Sequence, residues 1–144
     1  MHKSKLAGFI IDCQTDDVAA AADFWSQALG MEKQALPGEE GDKYVWLVDP
    51  NDALHIEVQS VSHPSRVHLD IESDDIEAEV RRLEALGAKR VEQVQTWWVM
   101  EAPTGQRFSH RPQPVHSSGA TWGCWSVTGV PSRRILSTVS SQIA

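Results

Sequence analysis

The chain repeats itself, and this constrains its fold more than any other feature. Ile10-Ile11-Asp12-Cys13-Gln14-Thr15-Asp16-Asp17-Val18 aligns with His68-Leu69-Asp70-Ile71-Glu72-Ser73-Asp74-Asp75-Ile76 at an offset of 58 residues. Asp12 falls on Asp70, Asp16-Asp17 on Asp74-Asp75 and Val18 on Ile76. After a slip of one residue, Ala28-Leu29-Gly30 falls on Ala85-Leu86-Gly87. Val48-Asp49-Pro50 and Glu101-Ala102-Pro103 each follow an apolar run and precede a turn. Self-similarity at a fixed spacing means that one supersecondary unit has been used twice, so the halves share a backbone plan.

Each unit reads the same way. Residues 6–13 form an apolar run suited to a strand. Asp16-Asp17 can cap a helix over residues 18–29, with Val18, Ala21, Ala22, Trp25 and Leu29 as its apolar stripe and Gly30 as its stop. In the second unit Ser73 or Asp74 caps, Ile76, Val80, Leu83 and Leu86 form the stripe, and Gly87 ends the helix. Glu77, Glu79, Arg81, Arg82 and Glu84 lie outside that stripe and read as a solvated face. Strand candidates follow at 31–36, 43–48 and 54–61, then at 89–94, 96–101 and 107–110. The pattern is strand–helix–strand–strand–strand, twice: an α+β domain over residues 5–110, with modules at about 5–61 and 66–110. From residue 111 to 144 the chain turns Ser-, Gly- and Pro-rich and reads as a flexible tail. The alternative is a docking arm carrying Trp122 and Trp125.

Composition narrows the partners. The 144 residues carry 13 Lys+Arg against 20 Asp+Glu, a net charge of −7. An acidic chain without a basic run is a poor candidate for nucleic acid or an anionic membrane. No apolar run approaches the ~20 residues of a membrane span. The first residues lack the order of a signal peptide, and Cys13 and Cys124 make no disulfide framework, so a reduced cytoplasmic protein is expected. Cys13 alternates with Ile11 onto the apolar face and reads as an inert structural thiol.

Strand alternation identifies candidate site residues. Leu54, Ile56 and Val58 face one way and His55, Glu57 and Gln59 the other. Val67, Leu69 and Ile71 oppose His68 and Asp70. By the repeat, Ile10 and Asp12 share the orientation of His68 and Asp70, and Arg107 and Ser109 oppose Phe108. The apolar faces must meet the helices. The polar set, Asp12, His55, Glu57, His68, Asp70, Arg107 and Ser109, would then line a pocket or a solvated face. One of the adjacent Trp97 and Trp98 joins it, and the sequence does not say which. His2, His63 and His116 lie in termini or Pro-containing loops and read as surface residues.

The motifs Ile11-Asp12-Cys13, Asp23-Phe24-Trp25-Ser26-Gln27-Ala28-Leu29-Gly30-Met31, His68-Leu69-Asp70, Leu83-Glu84-Ala85-Leu86-Gly87-Ala88 and Ala102-Pro103-Thr104-Gly105-Gln106-Arg107-Phe108 resemble the vicinal-oxygen-chelate superfamily. This is the group of glyoxalases, bleomycin-resistance proteins and extradiol dioxygenases. The resemblance covers residues 5–110 and implies paired βαβββ modules in a curled mixed sheet around a cavity, helices outside, and often a homodimer. Metal-dependent members bind a divalent ion through a first-strand His and a last-strand Glu or Gln of each module. Here His68 and Glu57 match, whereas the other two positions hold Ile10 and Ser109, with His55 as a substitute third ligand. Two surviving ligands are fewer than catalytic sites normally use. No cofactor is therefore expected, a divalent metal on His68 and Glu57 being the alternative.

Three functions follow. The first is a metal-free binder of an aromatic or cationic small molecule, held by tryptophan and by Asp12, Glu57 and Asp70. The second is a lyase or isomerase of the glyoxalase type, metal-dependent or using His68 with Asp70 or Glu57 for proton transfer. The third is an interaction module acting through the tryptophans of the tail.

Overall fold

The computed structural model describes residues 1–94 and 96–112. Arg111 and Pro112, expected in the tail, extend the last strand, and the rest of the expected tail, with Trp122, Trp125 and His116, lies outside the described residues. Each module begins with a long strand, β1 (Ser4–Gln14) and β5 (Arg66–Ser73). A helix follows, α1 (Val18–Leu29) or α2 (Ile76–Ala85). Three strands complete each unit: β2 (Glu32–Ala35), β3 (Tyr44–Val48) and β4 (His55–Val61), then β6 (Lys89–Val94), β7 (Trp97–Glu101) and β8 (Arg107–Pro112). All form one mixed sheet in the order β2-β3-β4-β1-β5-β8-β7-β6. The order is symmetric about its centre. There β1 and β5 run antiparallel, and each pairs in parallel with the last strand of its own module. The sheet is open and not strongly curled, so the curl implied by the resemblance is weak here.

The same local chemistry starts both helices. The Asp17 carboxylate accepts from the Ala20 N–H and the Asp75 carboxylate from the Ala78 N–H, each at 2.9 Å. The cap of α2 is therefore Asp75, and not Ser73 or Asp74. The Ser73 hydroxyl instead accepts from the Asp75 N–H at 3.2 Å and orients the turn. Gly30 ends α1 at φ 66°, the left-handed conformation that glycine adopts without a Cβ penalty. Leu29 and Leu86, expected in the apolar stripes, are exposed, because both sit where the last turn leaves the sheet.

Both helices pack on one side. Val18 and Ala22 of α1 lie on Ile11, Val45, Leu47, Ile56 and Val58. Val80 and Leu83 of α2 lie on Met100 and Phe108. Ile11 is the cross-strand partner of Val67, and Phe9 of Leu69, so these residues share the helix side. Each fully buried aliphatic side chain stabilises the fold by roughly 1.5–3 kcal/mol, which anchors the sheet to its helices. At Gly8 the strands β1 and β4 approach so closely that a Cβ would overlap the His55 carbonyl. That contact brings the opposite, helix-free faces of β4, β1 and β5 into one surface.

The face of α2 expected to be solvated is only partly so. Glu79 is fully buried and Arg82 binds it through two bonds of 2.7 and 2.6 Å. His2, expected at the surface, is half-buried with Nε2 2.6 Å from Glu79. A carboxylate can enter the interior when its charge is matched, and these partners match it.

Candidate functional site on the helix-free face

Alternation places the expected polar residues together on the side away from the helices. Gly8 is opposite His55 and Asp70, Ile10 opposite Glu57 and His68, and Asp12 opposite Gln59 and Arg66. Asp70 is level with Ser109 across the parallel pair. Asp12, Glu57, Gln59, His68, Asp70 and Ser109 are all buried. Of the two tryptophans, Trp97 is the one on this face: it is buried with Val94 and Val99, whereas Trp98 packs toward α2 and stacks under Arg90. Arg107 sits half-buried at the rim, paired with Glu101 at 2.9 Å.

Each buried carboxylate has taken a partner. His68 Nδ1 lies 3.0 Å from Asp12 Oδ2. A carboxylate only accepts, so the proton sits on Nδ1, leaving Nε2 as the nitrogen with a free lone pair. Asp12 also accepts from Arg66 Nε at 3.3 Å. His55 Nε2 lies 2.9 Å from Glu57 Oε2, and the His55 ring meets Trp46 edge-on at 4.8 Å. The Ser109 hydroxyl donates to Asp70. The partner of His68 is thus Asp12, not Asp70 or Glu57. The reason is register: Asp12 is diagonal to His68 across β1–β5, within reach of side chains, while Asp70 is turned to Ser109.

The metal positions can be tested against this donor set. Glu57 and His68 flank Ile10, one strand away on either side, so their Cα atoms are roughly 10 Å apart. Glu57 is engaged by His55, and His68 by Asp12. The other two positions are Ile10, with no donor atom, and Ser109, bonded to Asp70. Among the described residues no three His, Cys, Asp or Glu side chains come together as a metal site. The residues present do not fit the divalent ion of the metal-dependent relatives.

The sequence matches the model of the glyoxalase-like domain over residues 8–110. The chain belongs to the glyoxalase-like domain family. This family member finds no match among curated proteins. Solved structures match its fold. A hypothetical protein from Bacillus halodurans aligns with a TM-score of 0.56 at 11% identity, covering 81% of this chain and 99% of that one. Methylmalonyl-CoA epimerase from Mycobacterium tuberculosis aligns at 0.52 and 18% identity, covering 76% and 88%. The Mn(II)-bound glyoxalase from Novosphingobium aromaticivorans aligns at 0.53 and 16%, covering 76% of this chain and 40% of that one. Identities this low establish the shared fold alone. No helix among the described residues is long and apolar enough to cross a membrane.

More polar residues share this face than the expected pocket set included. Gln59 and Arg66 were legible, since 55, 57, 59 and 66, 68, 70 are each one continued alternation. His63, expected at the surface, is half-buried with Nε2 3.7 Å from Asp12 Oδ2. It sits in the connection between modules, where no period exists to reveal it. Cys13 packs against the α1 core, and burial raises its thiol pKa, in keeping with an inert role.

Proposed function

We propose that this glyoxalase-like protein binds a small aromatic or cationic molecule on its helix-free face and does so without a divalent metal. The observation that carries the reading is the fate of the four inherited ligand positions. His68 and Glu57 are each tied to a neighbouring side chain, and Ile10 and Ser109 cannot replace the missing pair. What remains is a polar floor with the half-buried Trp46 as a ring surface, the mixture that organic ligands use for affinity and orientation. Thermal-shift measurements over aromatic and cationic compounds test this. A ligand at a hundred times its Kd should add about 2.7 kcal/mol of stability. Stabilisation by Mn(II), Ni(II) or Zn(II) with no response to any organic compound would overturn it.

A second reading rests on the buried Asp12–His68 pair. A carboxylate that holds the Nδ1–H leaves Nε2 as the nitrogen available for proton transfer beside a carbonyl. In that reading His68 is the base, Asp12 orients it, and the protein is a metal-free isomerase or lyase. Solvent-deuterium exchange into carbonyl compounds that bind is the measurement. Exchange that survives His68→Ala removes this reading and leaves the binder.

A further inference from the structure

The helix-free face is not uniformly satisfied. Four buried polar atoms at its Asp12 end have no hydrogen-bond partner among the described residues: Asp12 Oδ1, Gln59 Oε1, Arg66 Nη2 and His63 Nε2. They converge by register. Asp12 is level with Gln59 on one side and with Arg66 on the other, and His63 Nε2 stands 3.7 Å from the second Asp12 oxygen. An unmet buried polar atom costs about 1–3 kcal/mol, so four of them at one end of the face call for an occupant.

The chemistry of the three atoms that lie on the strands defines that occupant. Asp12 Oδ1 and Gln59 Oε1 accept, whereas Arg66 Nη2 donates. The carboxylate of Asp12 is already balanced by the Arg66 guanidinium, which binds it at 3.3 Å. This end of the face therefore offers no net charge to a cation or an anion. It offers acceptors beside a donor, the complement of a group that carries N–H and C=O side by side. Tyr44 and Trp46 neighbour it on β3, level with Gln59 and Glu57, and supply ring surfaces.

Resting on the reading of this face as a ligand site, we propose that its Asp12 end is a subsite for a neutral lactam- or amide-type edge. The ligand N–H donates to Asp12 Oδ1 and Gln59 Oε1, and its C=O accepts from Arg66 Nη2. Arg66 and His63 are only half-buried, so these two side chains form the outer wall of the subsite. This assignment selects the aromatic branch of the proposed ligand over the cationic one.

Titration calorimetry with a matched pair tests it: 2-quinolone, which has the N–H/C=O edge, and N-methyl-2-quinolone, which lacks the donor. The full chain is expected to bind 2-quinolone at least tenfold more tightly. Gln59→Leu, which takes away one acceptor of the ligand N–H, should cut that preference severalfold. Arg66→Ala, which takes away the donor to the C=O that both compounds carry, should weaken both. Equal affinities for the two compounds overturn the subsite but leave the face as an aromatic site. An ordered water bridging Asp12, Gln59 and Arg66 in a high-resolution crystal structure, undisplaced by 2-quinolone, also overturns it. Binding of neither compound, together with no response in the wider aromatic and cationic screen, overturns the face itself.

Discussion

The two helices cover very different ground although their backbones are copies. Beneath α1 the interior is apolar: Ile11, Val45, Leu47, Ile56 and Val58 meet Val18 and Ala22. Beneath α2 the apolar cluster of Val80, Leu83, Met100 and Phe108 adjoins a buried charged group. There Glu79, fully buried, binds Arg82 and His2, and His110 lies beside them with neither ring nitrogen partnered among the described residues. At the repeat offset of 58, Glu79 corresponds to Ala21. A small residue in one copy has become, in the other, the anchor for the N-terminal residues. The duplicated plan tolerates this because a helix–sheet interface needs filled volume and matched polar atoms, and either residue type can supply them.

The comparison predicts its own failures. The largest effect is expected at Glu79→Ala, which removes the buried carboxylate that accepts from Arg82 and meets His2, at a cost of about 1.5–3 kcal/mol. Ala21→Ser at the matching position of α1 should change stability by under ~0.5 kcal/mol. Urea unfolding of both variants measures the contrast, and similar costs would erase it.

Acid should attack the second half first. Arg82, against a desolvation that opposes it, holds the Glu79 carboxyl at about 2, below its ordinary 4.5. The stability this carries is complete above pH 4.5 and is lost as pH falls toward 2. Burial pushes the His110 imidazole below its ordinary 6.5, so the folded state resists a proton that the unfolded chain accepts. That contribution is present above pH 6.5 and is lost as pH falls below it. Urea midpoints measured from pH 7.5 to 3 should decline in these two steps, and His110→Gln should flatten only the upper one. An unchanged upper limb in that variant would show that His110 does not titrate as its burial demands.

A smaller effect should be equal in the two halves. Asp17→Ala and Asp75→Ala each remove the same cap bond, and each should cost about 1 kcal/mol. Unequal costs, measured by thermal unfolding, would mean that the surroundings and not the repeat set the strength of the cap. Smallest of all, Leu69→Ser on the exposed central strip between the helices should stay within ~0.5 kcal/mol.

Much of this fold was legible because it is local and written twice. The cap at Asp17, the terminating glycines and the alternation of His55, Glu57, His68 and Asp70 need only neighbours a few residues away, and the structure carries them, whereas the cap of α2 falls one or two residues later than expected, on Asp75. The polar residues proposed for the site do share one face. The misreadings fall where a residue answers to something distant. Glu79 looked solvated because its partners include His2, 77 residues earlier in the chain. His63 looked superficial because its neighbour, Asp12, belongs to another strand. Trp97 and Trp98 were equivalent until the strand pairing oriented them.

The residues alone determined the two units, their elements and which side of each strand is polar, since spacing and propensity act along the chain. Only the tertiary structure decided which atoms meet across strands. Antiparallel register at β1–β5 gave His68 to Asp12 rather than to Asp70, and together with the parallel register at β1–β4 it set Arg66 and Gln59 on either side of Asp12. Register is a property of strands brought together from distant parts of the chain, and a shift of one residue would turn every one of those side chains to the opposite face.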